Sequence, residues 1–198
     1  MATRVGISVD DFLAGVDEDL RAEWVNGEVV EMSPVNERHA AITVLLTTLM
    51  NLLARRRGLG RVLHAPFHMK TGPELGVREP DLLFVRAENL SRIQPTYLDG
   101  PADLVIEVMS LESRGRDRGD KFYEYEQGGV PEYWIIDPLR SRVEAYRLSG
   151  ANGYELIAPD AEGRVRSEVM DGMWIDPSWL WSEPVADEWW VLQQWGLI

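Results

Sequence analysis

Apolar residues recur along this chain with two different periods, and their alternation outlines a mixed fold. Ser8 offers a helix N-cap, and Val9 to about Val16 reads as a short helix with Asp10 and Asp11 in its first turn, where the dipole favours anions. Ala22 to Met32 reads as a hairpin around Asn26-Gly27, a pair that accepts the positive φ angles of a two-residue turn. Pro34 interrupts the pattern and Asn36 offers the next cap. From Asn36 to about Arg57, Ile42, Leu45, Leu46, Leu49, Leu52 and Leu53 fall at spacings of three and four, which predicts a long, well-buried helix. Arg55, Arg56 and Arg57 suit its negative end, and Gly58 and Gly60 are expected to terminate it. Arg61 to Met69 is expected as one extended segment, followed by a loop from Thr71 to Gly76.

Three later runs are continuously apolar, which implies strands covered on both faces: Asp81 to Val85, Asp103 to Met109, and Glu132 to Asp137. A helix from Asp117 to Gln127, closed by Gly128-Gly129, is expected between the second and third. Asp117 would cap it. Pro138 stops the third strand, and Arg142 to Leu148 and Tyr154 to Ile157 read as outer antiparallel strands. The predicted class is α/β (α+β): a central mixed sheet flanked by helices, with an N-terminal hairpin and a long helix ahead of it. No repeat or low-complexity linker divides the chain, and 198 residues suit one domain.

Composition sharpens this outline at three points. The chain has no cysteine, which excludes disulfides, thiolate metal sites and cysteine nucleophiles. It has no signal-like start and no run near the ~18 apolar residues of a membrane span, so a cytoplasmic protein is expected. Its net charge of -13 argues against a general nucleic-acid coat. The charge is uneven, however: residues 151–198 carry nine acidic and two basic residues, and the last 25 residues hold six of the eight tryptophans. This stretch is expected to be an acidic, Trp-rich C-terminal extension of the single domain. Its tryptophans either pack on their own core or anchor a homodimer.

Candidate chemistry follows from position. Glu107 interrupts an apolar strand, and Asp81 opens another. A glutamate in such a strand is costly unless its charge is compensated, and two adjacent carboxylates repel. A divalent cation such as Mg²⁺ or Mn²⁺, which takes hard oxygen ligands, would resolve both problems, as would an arginine partner or a solvent-facing strand end. Of the 20 basic residues 18 are arginine, so Lys70 and Lys121 stand out. Lys121, on the helix after the Glu107 strand, is placed to point back at the strand end and stabilise charge on a phosphate. Glu28 and Glu31 read as solvated. His64 and His68 would share one strand face but lie too far apart for one metal. Ser33, Ser110 and Ser113 lack a base and orienter for hydrolase chemistry.

Four stretches carry a family resemblance: AEWVNGEVVEMSP with a histidine shortly after it, EPDLLFV, DLVIEVMS, and DRGDKFYEYEQGGVPEYWIIDP. Together they span about Glu23 to Pro138. On them the chain resembles the Uma-type family of restriction-endonuclease-like proteins, within the PD-(D/E)XK nuclease superfamily. The resemblance implies a nuclease core with a metal at the ends of two adjacent strands. It implies that Asp81, Glu107 and the Val108 carbonyl hold the metal, that Glu23 contributes from the N-terminal element, and that His39 is an accessory residue. Met109 stands where the superfamily commonly has its lysine, and the resemblance selects Lys121 for that role.

The leading expectation is therefore a Mg²⁺- or Mn²⁺-dependent DNA endonuclease with Asp81, Glu107, Lys121 and Glu23 in its site. Arg114, Arg116 and Arg118 would bind substrate beside it, confining DNA to a local groove. The alternatives are a nuclease-like fold serving as an inactive binding or assembly module, and a hydrolase of a smaller phosphorylated substrate.

Overall fold

The computed structural model describes residues 4–15, 21–72, 75–110 and 118–198. The order along the chain is β1 (Arg4–Val5), α1 (Val9–Gly15), β2 (Ala22–Val25), β3 (Glu28–Glu31), α2 (Glu37–Arg57), β4 (Gly60–His64), β5 (His68–Lys70), β6 (Val77–Arg78) and β7 (Leu82–Arg86). Then come β8 (Tyr97–Leu98), β9 (Leu104–Val108), α3 (Asp120–Gly128), β10 (Glu132–Asp137), β11 (Arg142–Leu148), β12 (Tyr154–Leu156), β13 (Val165–Arg166), β14 (Trp174–Ile175) and α4 (Glu188–Gln194). Three short 3₁₀ turns lie between the later elements.

Local sequence signals account for the element ends. Ser8 Oγ accepts the Asp11 N–H at 3.1 Å and starts α1. Asn26 and Gly27 take φ of 51° and 87° in the β2–β3 turn, which suits two residues that tolerate the left-handed region. Asn36 caps α2 by accepting the His39 N–H at 2.9 Å, and Gly58 ends that helix in the left-handed region. Gly60 does not belong to this stop signal. It opens β4 at a point where a Cβ would lie 2.0 Å from the Val85 carbonyl oxygen, so only glycine fits.

The central six-stranded sheet runs β12-β11-β10-β9-β7-β4. β9 and β10 are parallel and the other neighbours are antiparallel, so the sheet is mixed. The expected fold class holds: a mixed sheet flanked by helices. A second six-stranded sheet, β1-β3-β2-β6-β5-β8, was not legible in the pattern. It takes up the N-terminal hairpin and the short strands β5, β6 and β8. The segment expected as one strand from Arg61 to Met69 is two: β4 joins the central sheet and β5 the second. The break falls at Pro66, which has no N–H to donate to a ladder. His64 and His68 therefore lie on different sheets.

One face of the central sheet packs Leu82, Phe84, Leu104, Ile106, Val108, Trp134 and Ile136 against the buried side of α2. The C-terminal segment completes that core with Trp179, Leu180, Val191, Leu192 and Trp195. Leu52, grouped by its spacing with the buried side of α2, instead faces outward with 41% of its surface exposed, as do Trp189 and Trp190 on α4. The opposite face packs Leu83, Val85, Val105, Tyr133 and Ile135 with Met69, Leu98 and Tyr125. At one end of this second core the apolar filling gives way to charge.

Candidate functional site

Asp81 directly precedes β7. The last ladder pair between β7 and β9 is Leu82 with Ile106, so the next step brings Asp81 to the position across from Glu107. Asp81 Oδ2 accepts the Val108 N–H at 2.7 Å and lies 3.1 Å from His39 Nε2. A carboxylate only accepts, so this contact needs the His39 proton on Nε2. His39 stands in the first turn of α2, so the Asn36 cap that starts the helix also fixes the histidine that orients Asp81. Asp81 Oδ1 has no hydrogen-bond partner among the described residues, and the side chain is 15% exposed.

Glu107 is buried on the second-core face of β9, the face that α3 covers. Its Oε1 accepts from Lys121 Nζ and from Tyr125 Oη, each at 2.8 Å. Lys121 and Tyr125 are one helical turn apart on α3, so both reach the same oxygen. Lys121 Nζ also lies 3.0 Å from Glu23 Oε1 on β2. Glu23 Oε2 pairs with Arg78 Nη1 at 3.1 Å, and Arg78 Nε donates to Glu124 Oε2 at 2.9 Å. The Glu124 Oε1 atom closes the series by accepting from Thr71 Oγ1 and the Gly76 N–H. The charges thus alternate through the interior as Glu107, Lys121, Glu23, Arg78 and Glu124. Glu23, Arg78, Glu107 and Lys121 are each almost wholly buried.

These neighbours set the protonation states. Burial alone would raise the Glu23 carboxyl, but Lys121 and Arg78 outweigh it and bring its pKa down to about 2. Arg78 is held above its ordinary value: burial opposes its charge, and Glu124 and Glu23 more than offset that. Burial, and then the charges of Glu107 and Glu23, push Tyr125 well above the usual phenol range, so it stays a hydrogen-bond donor. Beside this series Glu79 takes Arg21 on Oε1, while its buried Oε2 has no hydrogen-bond partner and lies 3.9 Å from His68 Nε2.

The structure therefore gathers Asp81, Glu107, Val108, Lys121, Glu23 and His39 at one end of the central sheet. Arg114, Arg116 and Asp117 lie outside the described residues. Arg118 pairs with Glu144 and lies 3.6 Å from Asp137. Sequence reasoning missed Arg78, Glu79, Glu124 and Tyr125. Two signals were available: Tyr125 lies four residues after Lys121, and Arg78-Glu79 directly precedes Pro80-Asp81.

Among the described residues no group of three or more histidine, aspartate or glutamate side chains is arranged to hold a metal ion. Two carboxylates and a backbone carbonyl remain a suitable hard-oxygen set for Mg²⁺ or Mn²⁺, and the unpartnered Asp81 Oδ1 fits such an ion. Among the described residues no helix is long and apolar enough to cross a membrane.

The fold is similar to a solved structure described as a "putative nuclease belonging to DUF820" from Anabaena variabilis ATCC 29413, with a TM-score of 0.73 and 17% identity. The match covers 88% of this chain and 97% of that one. At that identity the likeness concerns the fold, which is restriction-endonuclease-like. No curated protein matches the chain. The family model Uma2, described as "Putative restriction endonuclease", matches residues 9–178, a span that includes both strands and the helix that build the site. The chain belongs to the Uma2 family.

Proposed function

We propose that the protein is a metal-dependent phosphodiesterase that cleaves DNA endonucleolytically. The observation that carries this reading is the meeting of Glu107, Lys121 and Glu23 at the strand end where Asp81 is fixed to the Val108 N–H. In this reading Asp81, Glu107 and the Val108 carbonyl hold Mg²⁺ or Mn²⁺. When bound, such an ion would supply positive charge for the scissile phosphate and would lower the pKa of the attacking water. Lys121 supplies a fixed positive charge for the negative charge that develops on the phosphate. Glu23 and Glu107 hold that ammonium in place, and Tyr125 keeps Glu107 turned toward it. His39 orients Asp81 as an accessory residue. Arg114, Arg116 and Arg118 contact the substrate backbone.

The test is plasmid cleavage with Mg²⁺ or Mn²⁺. Wild type is expected to nick or linearise DNA, and Asp81→Ala, Glu107→Gln and Lys121→Ala each to lose about 100-fold or more. A wild type inert on DNA and RNA, or variants with full activity, would refute the assignment. A second reading has one observation in its favour: Glu107 already has Lys121 and Tyr125 as partners, so its burial is compensated without an ion. A nuclease-like binding module would follow. Titration with Mn²⁺ separates the two, since heat that disappears in Glu107→Ala belongs to the enzyme.

The same reading places the protein in the cytoplasm as one domain, with 151–198 as its extension, and as a homodimer. The dimer surface is the groove between α2 and α4, where Leu52, Arg56, Trp189 and Ile198 meet and the apolar residues stand exposed. Its occupant is a second copy of the chain. Arg56, which lines the groove, and the acidic residues Asp187 and Glu188 at the start of α4 give a two-fold contact charges of opposite sign to pair. A monomeric mass in light scattering at micromolar concentration would rule this out.

A further inference from the structure

We infer that the β10–β11 hairpin carries a second phosphate subsite, in which Arg140 and Arg142 grip a backbone phosphate of the nucleic acid away from the cleaved one. The inference rests on the endonuclease reading above and extends it to residues outside the site already described.

The hairpin lies at the same edge of the sheet as that site. β9 and β10 are parallel, with Val108 opposite Ile136, so the next residue, Asp137, sits at the edge where Val108 meets Asp81. Asp137 pairs in turn with Arg142, the first residue of β11. Adjacent strands are ~4.8 Å apart, so Arg142 stands about 10 Å from the Glu107 strand. That is two to three nucleotides along a strand whose phosphates recur about every 3.4 Å of axis.

The charges there are arranged for an outside anion. Asp137 and Glu144 are almost wholly buried, whereas the Arg140 and Arg142 side chains are 55% and 59% exposed. Asp137 Oδ1 accepts the Arg140 N–H at 3.2 Å, which fixes the turn, and Asp137 Oδ2 lies 3.5 Å from Arg140 Nη1. The other carboxylate, Glu144, holds Arg142 Nη2 at 2.8 Å through Oε1 and takes Arg118 through Oε2. Among the described residues three guanidiniums thus meet two carboxylates, a local positive excess on a chain that carries -13 overall. A guanidinium has five N–H donors, and each buried carboxylate occupies only the inward side. The exposed remainder of the Arg140 and Arg142 guanidiniums offers further N–H donors, whose planar fork is of the kind that suits a phosphate. Arg118 ties the hairpin to the active end of the molecule, because Lys121 follows it by three residues.

Steady-state cleavage of a short DNA duplex by the full chain over a range of salt concentrations tests this. For Arg140→Gln/Arg142→Gln, KM is expected to rise about tenfold with little change in kcat, and the dependence of log kcat/KM on log salt to become shallower by about 1 to 2. Arg140→Lys/Arg142→Lys keeps the charge and is expected to restore the salt dependence. Unchanged KM and salt dependence in the Gln variant overturns the subsite while leaving the endonuclease reading intact. A loss confined to kcat overturns it as well, since that marks a defect in chemistry rather than in backbone contact. A wild type that cleaves no duplex overturns the endonuclease reading and this inference together.

Discussion

The two faces of the central sheet solve the problem of burial in opposite ways. Against α2 the filling is largely apolar, from Leu82, Phe84 and Ile106 to Trp134, Trp179 and Trp195, and Glu132, buried beside Trp134, is held by the Trp134 indole and two backbone N–H groups. Against α3 and the second sheet the apolar filling stops short, and Glu107, Lys121, Glu23 and Arg78 occupy the remaining interior. Apolar burial stabilises by about 25 cal/mol per Å². A buried ion pair commonly adds nothing over apolar residues of the same volume, because desolvation offsets the attraction. The charged end is therefore not there to hold the fold together. It adds little over an apolar filling, and it lies where Asp81 and Glu107 stand across from each other at the ends of β7 and β9, which is where chemistry is expected.

The largest test of this contrast removes one member of the charged series. Arg78→Met leaves the buried Glu23 and the partly buried Glu124 without their shared cation, and unfolding free energy from urea titration is expected to fall by about 3–5 kcal/mol. A loss under about 1 kcal/mol would mean that water or a shifted side chain readily replaces Arg78. On the opposite face, Ile106→Ala removes methylenes from the α2 core and is expected to cost about 3 kcal/mol. The cleavage rate of the folded protein should stay near wild type, because Ile106 points away from Glu107. If Ile106→Ala abolishes cleavage at a temperature where it remains folded, the two faces are not separable.

The smallest effect is read from pH. The Glu23 carboxyl drops from an ordinary 4.5 to about 2 in the folded protein, so the unfolded chain takes up its proton first. The stabilisation is fully present above pH 4.5 and is lost as pH falls toward 2. Glu23→Gln lacks this contribution. The stability gap between wild type and variant is expected to shrink by on the order of 2 kcal/mol between pH 4.5 and 2. A gap that stays constant over that window would detach Glu23 from Lys121 and Arg78.

Much of the site is legible in the sequence, for reasons of cost. Glu107 stands out because a glutamate in a continuous apolar strand needs compensation, expected there from a divalent cation or an arginine, and the scarcity of lysine draws attention to Lys121 as a charge for the phosphate. The structure brings the two together at 2.8 Å, a direct pairing that the local pattern did not suggest. Arg78 and Tyr125 are not legible. Each sits in a stretch whose local pattern is ordinary, and its meaning comes from segments far along the chain: Arg78 meets Glu23 across 55 residues. The second sheet is hidden for a related reason. Strands of two or three residues, such as β5, β6 and β8, are too short to show a period.

The sequence by itself determined the elements whose signals are local: the Asn26-Gly27 turn, the Asn36 cap, the spacing of α2 and the three buried strands. These depend on backbone preference and on solvent excluded over a few residues. Only the tertiary structure decided which strands share a sheet, that Leu52 faces out, and that five alternating charges from four separate segments meet in one interior. Such pairings depend on distances between groups remote in sequence, and no local preference encodes a distance.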